Sequence, residues 1–474
     1  MLIVNAEIAG RPGQDVRFLG GIIREIGPDL PRHPGEDTLN ARGGALLPGL
    51  NDHHLHLFAL AVAESSVRCG PPEVTNKEEL AAALAQPGSG WVRGIGYHPS
   101  VAGDLTRDDL DRWVPDRPVR IEHRSGKMWM VNSPGVARLG LDDEPDIPGI
   151  ERDAAGRPTG RLFRLADWIR SRLGTGTFPD LSALSRQLAG YGVTGVSDAT
   201  PTIAGDTVHE LARSHSAGAL LQRVQVMGGL DVRIPEQGLL NPGPVKLHLD
   251  EDRLPDFDCL VSEMATAHGK GRPVALHCVT QTELIFALTA LQEAGPLPGD
   301  RIEHASLTPD AALTLMQQTG VTVVTQPGFV FERGDQYLRD VASEDQPLLY
   351  RCRSFLRHGI PLGGSTDAPY GLPDPWGAMR AAVHRRTAAG LRLGQDEILS
   401  PEEAVALFTS PLEAPGAPPR QVQVGAVADL CLLSCEWKEA RTRLLASDVA
   451  ATFRDGHCIF SRRATALAAR SLHK

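Results

Sequence analysis

Three histidines crowd into residues 53–56, where the apolar run Ala45-Leu46-Leu47 passes a Pro48-Gly49 turn and enters Leu50-Asn51-Asp52-His53-His54-Leu55-His56. In a β-strand residues i and i+2 face the same way, so His54 and His56 can present two imidazoles to one point in space. Neutral imidazole is a common ligand for zinc and related divalent metals, and a pair so placed is half of a metal site. Taken alone, the pair reads as well as two core or surface histidines with no metal.

Other residues of ligand type lie far along the chain, at Lys246, His277, His304 and Asp367. The separations are 31 residues from Lys246 to His277, 27 from His277 to His304 and 63 from His304 to Asp367. The first two match one βα unit of about 30 residues, and the last matches two. A histidine at a strand end is often only a hydrogen-bonded core residue, and Asp367, after Gly363-Gly364-Ser365-Thr366, would serve as a helix cap. What points to a metal centre is that all of them fall in one register. Lys246 stands apart, because a protonated ammonium cannot bind a cation. It is either an ordinary strand lysine or one carboxylated on its amine to bridge two metals.

Such a centre has a definite chemistry. A bound metal lowers the pKa of water from about 15.7 to about 7 and polarises a carbonyl. Asp367 is placed to take a proton from the resulting hydroxide and pass it to a departing amine, a general base and then a general acid. The expected activity is hydrolysis of an amide-like C–N bond of a small molecule by a metal-activated hydroxide, with Asp367 catalytic. A heterocycle deaminase releasing ammonia and a non-catalytic barrel that binds a ligand or partner are the two alternatives.

Positioning these groups requires strands that end at one place. Apolar strand-like runs at 195–198, 221–227, 244–249, 273–277, 301–304, 321–325 and 361–367 alternate with amphipathic segments of helical length, the pattern of parallel βα units. With the strand entering His54 they make the eight of a TIM (β/α)8 barrel, whose catalytic residues sit at the C-terminal strand ends. His277, His304 and Asp367 would end strands five, six and eight, with Lys246 on strand four. Both chain ends carry short apolar runs, at 2–4, 16–19 and 21–26 and at 422–427, 429–433 and 451–460, which suggests one small β-rich unit. The stretch 66–185 is roughly four times the length of a single βα repeat, so it reads as an inserted subdomain. The expected division is a β unit of 1–48 with 420–474, a barrel of 49–65 with 186–419, and the insertion 66–185.

Composition narrows the partners. The chain has 474 residues, 42% hydrophobic and 22% charged, as in ordinary soluble globular proteins. Its net charge of -10 argues against a nucleic-acid partner. No apolar stretch approaches the ~20 residues of a membrane helix, and Met1-Leu2-Ile3-Val4-Asn5-Ala6-Glu7 does not begin a signal peptide. Seven cysteines, odd in number and without repeating spacing, fit a reduced, cytoplasmic protein. A small-molecule substrate is the expected partner, and a homo-oligomer stays open.

Residues 48–56, Val274-Ala275-Leu276-His277, Arg301-Ile302-Glu303-His304-Ala305 and Gly364-Ser365-Thr366-Asp367-Ala368-Pro369 together resemble the amidohydrolase superfamily. The likeness is greatest to the amidohydrolase-3 branch, which includes N-substituted formamide deformylase-like proteins. Gly126-Lys127-Met128-Trp129-Met130-Val131-Asn132-Ser133, Asp374-Pro375 and Gly425-Ala426-Val427-Ala428-Asp429-Leu430 extend it over nearly the whole chain. The resemblance implies a metal-bearing barrel beside a β-sandwich made from both chain ends. It also implies that His54 and His56 bind a buried metal with Asp367, that His277 and His304 bind a second, and that a carboxylated Lys246 bridges them. The cofactor so implied is a divalent metal, zinc by expectation, with one or two ions per chain.

Two departures bear on the substrate. Many relatives have His where this chain has Lys127, and Gly-Asp where it has Thr280-Gln281. Lys127 is therefore a candidate substrate-binding cation, suited to a carboxylate-bearing ligand, or else a lysine facing solvent. Deaminase-type relatives usually carry a Glu three residues after the strand-five histidine, where this chain has Thr280. Non-catalytic relatives have usually lost metal ligands that are kept here.

Overall fold

A computed structural model describes residues 1–71, 73–143, 147–173, 178–235 and 238–462. The chain divides into two compact units, one of Met1–Leu57 with Asp180–Lys474 and one of Phe58–Pro179.

The first unit contains a ring of parallel strands. Among the described residues these are β1 (Leu50–Leu55), β2 (Val193–Asp198), β3 (Arg223–Val226), β4 (Val245–His248), β5 (Val274–Cys278), β6 (Arg301–His304), β7 (Thr322–Thr325) and β8 (Leu362–Gly364). β1 to β3 form one parallel run with the short strand Leu240–Pro242, and β4 to β8 form another. Backbone bonds join the two runs at both seams. The Lys246 amide donates to Gly228 O at 2.9 Å on one side, and the Asp367 amide donates to His54 O at 2.9 Å on the other. Strands covered on both faces read as continuous buried runs rather than alternating ones, and every residue of β1, β2 and β6 is buried.

Helices follow the strands, and their starts are set by local chemistry. Thr280 caps Gln281–Ala294 in a reciprocal box with Glu283, and Ser400 does the same for Pro401–Thr409 with Glu403. One side-chain-free contact is obligatory at the mouth of β1: a Cβ at Gly49 would lie 2.4 Å from Thr194. Glycine therefore lets the chain turn into the ring there.

Each expected ring strand is present, but the last is shorter than its pattern. β8 stops at Gly364, and Asp367 lies beyond it with φ of 55°, its amide captured by His54 O instead of a ladder partner. The tail also differs. Residues 422–427 form no strand: the chain turns at Val424-Gly425, with Gly425 at φ of 89°, and meets the N-terminal segment through the bridge Ile22↔Val427 and bonds of 2.9 Å from Ile23 N to Ala426 O and from Gly425 N to Ile23 O. The run 451–460 is two strands, Val449–Arg454 and His457–Ser461, since Asp455 and Gly456 both adopt positive φ, as a tight hairpin turn requires.

Near the termini, Leu2–Ile8, Arg11–Leu19, Ile22–Gly27 and Thr38–Asn40 make one sheet, and Leu46–Pro48, Leu430–Leu433 and the terminal hairpin make another. Ile3, Phe18, Ile23, Leu46, Leu430, Leu432 and Phe453 share one buried cluster, with the Phe18 and Phe453 rings 5.6 Å apart, edge to face. Full burial of such side chains stabilises by roughly 1.5–3 kcal/mol each. Of the terminal segment assigned to this β unit, 463–474 lie outside the described residues.

The second unit has its own sheet, in the order Ile150–Arg152, Pro158–Phe163, Met128–Val131, Val119–His123, Val92–Tyr97, Val67–Arg68. Its core gathers Leu80, Tyr97, Leu110, Val119, Ile121 and Met130. Lys127 is exposed in the turn between Val119–His123 and Met128–Val131. No described helix is long and apolar enough to cross a membrane.

Candidate metal centre

His54 is buried in β1, and its Nδ1 meets a carboxylate oxygen of Glu303 on β6. The other Glu303 oxygen accepts from Nε of Arg301, whose Nη2 donates to His53 O at 2.6 Å. An imidazole whose Nδ1–H is held by a carboxylate presents a lone pair at Nε2, and the same contact fixes the plane of the ring. His56, one residue past β1, is oriented in the same way, with Nδ1 3.0 Å from Thr200 Oγ1.

The Nε2 atoms of both rings converge on one acid. Nε2 of His54 and Nε2 of His56 are each 3.4 Å from Asp367 Oδ1. One ligand-type atom from each of these three residues lies within 4.8 Å of the others. Asp367 reaches this point from the loop after β8, which Asp52 holds: its carboxylate accepts from Thr366 Oγ1 at 2.5 Å, Thr366 N at 3.1 Å and His54 N at 3.2 Å.

His304 and His277 continue the group ring to ring. The His304 centroid is 4.8 Å from His54 and 4.5 Å from His277, and His277 is 4.3 Å from His248. Gln326 Oε1 lies 2.8 Å from His304 Nδ1, and Gln326 Nε2 donates to Ser365 Oγ at 2.9 Å. His304 has φ of 69° and Asp367 φ of 55°, so both candidate residues, with Ala305 at 45° next to His304, are held in left-handed backbone at the ends of ring strands. Each such residue costs about 1–3 kcal/mol, a strain that functional sites often carry. Lys246 on β4 is buried, and among the described residues its Nζ has no hydrogen-bond partner.

Charge in this buried enclosure suits a cation. Burial, then the nearby Lys246 ammonium, pushes His54 down to about 3, and burial also lowers His277 and His304. Burial alone would raise Asp367, but the hydrogen bond from His56 and the fields of His54 and His304 hold it below the ordinary carboxylate range. Burial opposes Glu303 too, and Arg301, Lys246 and His54 overcome it. Burial lowers Lys246 in turn. Neutral imidazoles beside an ionised carboxylate are the protonation states a divalent metal requires, so the donor set fits one.

The structure thus gathers His54, His56 and Asp367, places His304 and His277 beside them, and buries Lys246 in the same interior. Lys127 belongs to the other unit. His53, in the same motif, turns away to Ser410 Oγ at 3.0 Å. Thr280, flagged after strand five, spends its hydroxyl on a helix cap. Glu303, Thr200, Gln326 and Asp52 escaped the sequence reading. Only Glu303 left a signal, a charged residue two positions from Arg301 in a strand otherwise destined for burial.

Comparison with known proteins places the chain as a whole. A model of a family described as the amidohydrolase family matches residues 37–460. N-substituted formamide deformylase of Arthrobacter pascens is 25% identical over 98% of each chain. An uncharacterised metal-dependent hydrolase from Pyrococcus horikoshii superposes with a TM-score of 0.73 at 20% identity, covering 96% of this chain and 99% of that one. Another from Pyrococcus furiosus gives 0.70 at 22% identity, covering 91% and 98%.

Proposed function

Because the chain belongs to the amidohydrolase family, we propose that it is a metal-dependent hydrolase cleaving an amide-like C–N bond of a small molecule. The observation that carries this reading is the shared 3.4 Å approach of His54 Nε2 and His56 Nε2 to Asp367 Oδ1, with the other nitrogen of each ring already engaged. A divalent metal, when bound, supplies Lewis acidity that acidifies water and polarises a carbonyl. His54, His56 and Asp367 would hold it, and zinc suits imidazole and carboxylate donors. His277 and His304 are assigned to a second ion, with Lys246, carboxylated on Nζ, as the bridge.

Asp367 is the proposed catalytic group. It takes a proton from the attacking water at a carboxylate oxygen and returns it to the departing nitrogen, which must leave as a neutral amine. Its ionised state supports the first of these roles. Glu303 holds the His54 ring and Thr200 the His56 ring by Nδ1, so neither ring has to reorient as charge develops. Lys127 is assigned to substrate binding. The terminal sheets act as a supporting β unit, the ring as the catalytic barrel and 66–185 as an insertion. The unbridged cysteines support a cytoplasmic setting.

Deamination is the weaker reading, because the position of the expected proton-shuttling Glu is Thr280, whose side chain caps a helix. The deciding experiment pairs metal analysis with a panel of N-acyl compounds, cyclic amides and aminated heterocycles. Release of acid and amine supports the proposal, release of ammonia from a heterocycle supports deamination, and turnover of nothing in a metal-loaded preparation supports a binding protein.

A further inference from the structure

The helix Gly328–Asp340 begins three residues after β7 ends, on the side of the ring where the strand ends carrying His304 and Asp367 also lie. Phe329, Arg333 and Tyr337 recur at four-residue intervals and so share a face of it. The Arg333 guanidinium lies 4.0 Å over the Phe329 ring, and its Nη2 donates to Tyr370 O at 2.5 Å. Tyr370 follows Asp367 by three residues, and its ring stands edge-on to His56 with centroids 5.6 Å apart. Arg333 is therefore one side chain removed from the candidate metal centre.

Burial opposes its charge and the ionisable groups around it favour it, yet no carboxylate among the described residues pairs with it. A guanidinium carries five N–H donors, and among the described residues the hydrogen bond Arg333 makes goes to a backbone carbonyl, with no carboxylate in ion-pair range. The ionisable groups that face it are Tyr337, Tyr350, Asp367 and Glu332. The two tyrosines are occupied with each other, hydroxyl to hydroxyl at 3.0 Å. Asp367 is committed to the histidines. Glu332, the adjacent acid, accepts from Leu372 N at 3.1 Å and is pushed up to about 7 by burial, so it offers at most part of a charge near neutrality. A guanidinium among aromatic rings that spends one bond on a backbone carbonyl and none on a carboxylate keeps N–H donors that an anion can take.

We propose that Arg333 is a specificity-determining residue that pairs with a carboxylate on the substrate, so that the amides cleaved are N-acylated compounds bearing a free acid. The proposal rests on the hydrolase reading above and names the substrate class for that same site. Tyr370 and Leu372, 38% and 49% exposed beside Arg333, give the substrate an apolar surface next to the cation. The acid-bearing class then includes an aromatic or bulky aliphatic substituent.

The test uses the metal-loaded full chain and two probes of similar size, racemic N-formylphenylalanine and N-formylphenethylamine, which lacks only the carboxylate. For the wild type, Arg333→Met and Arg333→Lys, the ratio of kcat/KM for the acid to that for the neutral compound is measured, and binding of both probes is followed by calorimetry. The expected result is a wild-type preference for the acid that falls by about 10- to 100-fold in Arg333→Met, the range of a lost charge-assisted hydrogen bond, and by less in Arg333→Lys. An equal loss on both probes would mean that Arg333 merely holds the Tyr370 carbonyl, and would overturn the proposal. So would a wild type without preference for the acid. If neither probe is cleaved while the acid alone binds, and Arg333→Met abolishes that binding, the inference stands and amide cleavage falls. If both are cleaved with an unaltered ratio in the variants, cleavage stands and the inference falls.

Discussion

The amide of Asp367 donates to the carbonyl oxygen of His54 at 2.9 Å, joining two residues more than 300 positions apart in the chain. The bond closes the ring between β8 and β1, and the two side chains meet again above it, with Oδ1 of the acid 3.4 Å from Nε2 of the imidazole. Backbone closure and site assembly are therefore one event: a shift in the register of β8 would displace the candidate base from the candidate ligand. His56 N, donating to Ala368 O at 2.9 Å, repeats the tie one step further on.

Asp367→Asn should separate proton transfer from architecture. The amide nitrogen of residue 367 and the Asp52 anchor remain, so the fold and most of the metal should be retained, while kcat falls by about 10²- to 10⁴-fold. Steady-state kinetics on metal-quantified protein checks this, and a near-normal kcat would remove Asp367 from the mechanism.

Purified protein should contain between about one and two equivalents of divalent metal, and chelation should abolish turnover until metal is returned. Lys246→Ala should lose the second equivalent and regain it with a short carboxylic acid. Elemental analysis of both proteins decides the matter, and unchanged metal content in the variant argues that Lys246 is an ordinary buried lysine.

Glu303→Gln should weaken metal binding by about 10- to 100-fold, because the acceptor that orients His54 loses its charge. The same change leaves the buried Arg301 guanidinium without its carboxylate, so the metal-free protein should also lose roughly 1–3 kcal/mol of stability. Metal titration and thermal unfolding of the metal-free form measure the two effects separately.

Glu122 gives a pH test in the second unit. Burial raises its carboxyl to about 7 in the folded second unit, against 4.5 as a free side chain, with Arg120 only partly offsetting the effect. The folded state thus holds a proton that the unfolded chain releases, and wild-type stability falls as pH rises from about 4.5 through 7. Glu122→Gln lacks this term, so its Tm relative to wild type should move upward between pH 5 and pH 8. Scanning calorimetry at both values is the check, and a difference that does not vary with pH would show that Glu122 is ionised in the fold.

Much of the site was legible because its signals are local. The two-residue alternation through His54 and His56, and the spacing of about one βα unit between Lys246, His277 and His304, are properties of short segments, and they anticipate the ring strands closely. Local rules also explain two misreadings: the Asp455-Gly456 turn that splits 451–460, and the Val424-Gly425 turn that interrupts 422–427.

Most of the partnerships that make the site work were not legible, because they join residues far apart in sequence. Glu303 meets His54 across 249 positions, Thr200 meets His56 across 144, and Thr366 meets Asp52 across 314. Arg333 in the sequence is one arginine among many, and only the packing of its helix against the loop after β8 brings it to Tyr370. By itself the sequence determined which residues are of metal-ligand type and in which repeat each falls, since alternation and repeat length are written in a few consecutive side chains. The tertiary structure alone decided which nitrogen of each histidine meets a partner, which acids are buried and which cations are left without an ion pair among the described residues, because those depend on burial and on hydrogen bonds that form only when distant strands close into one ring.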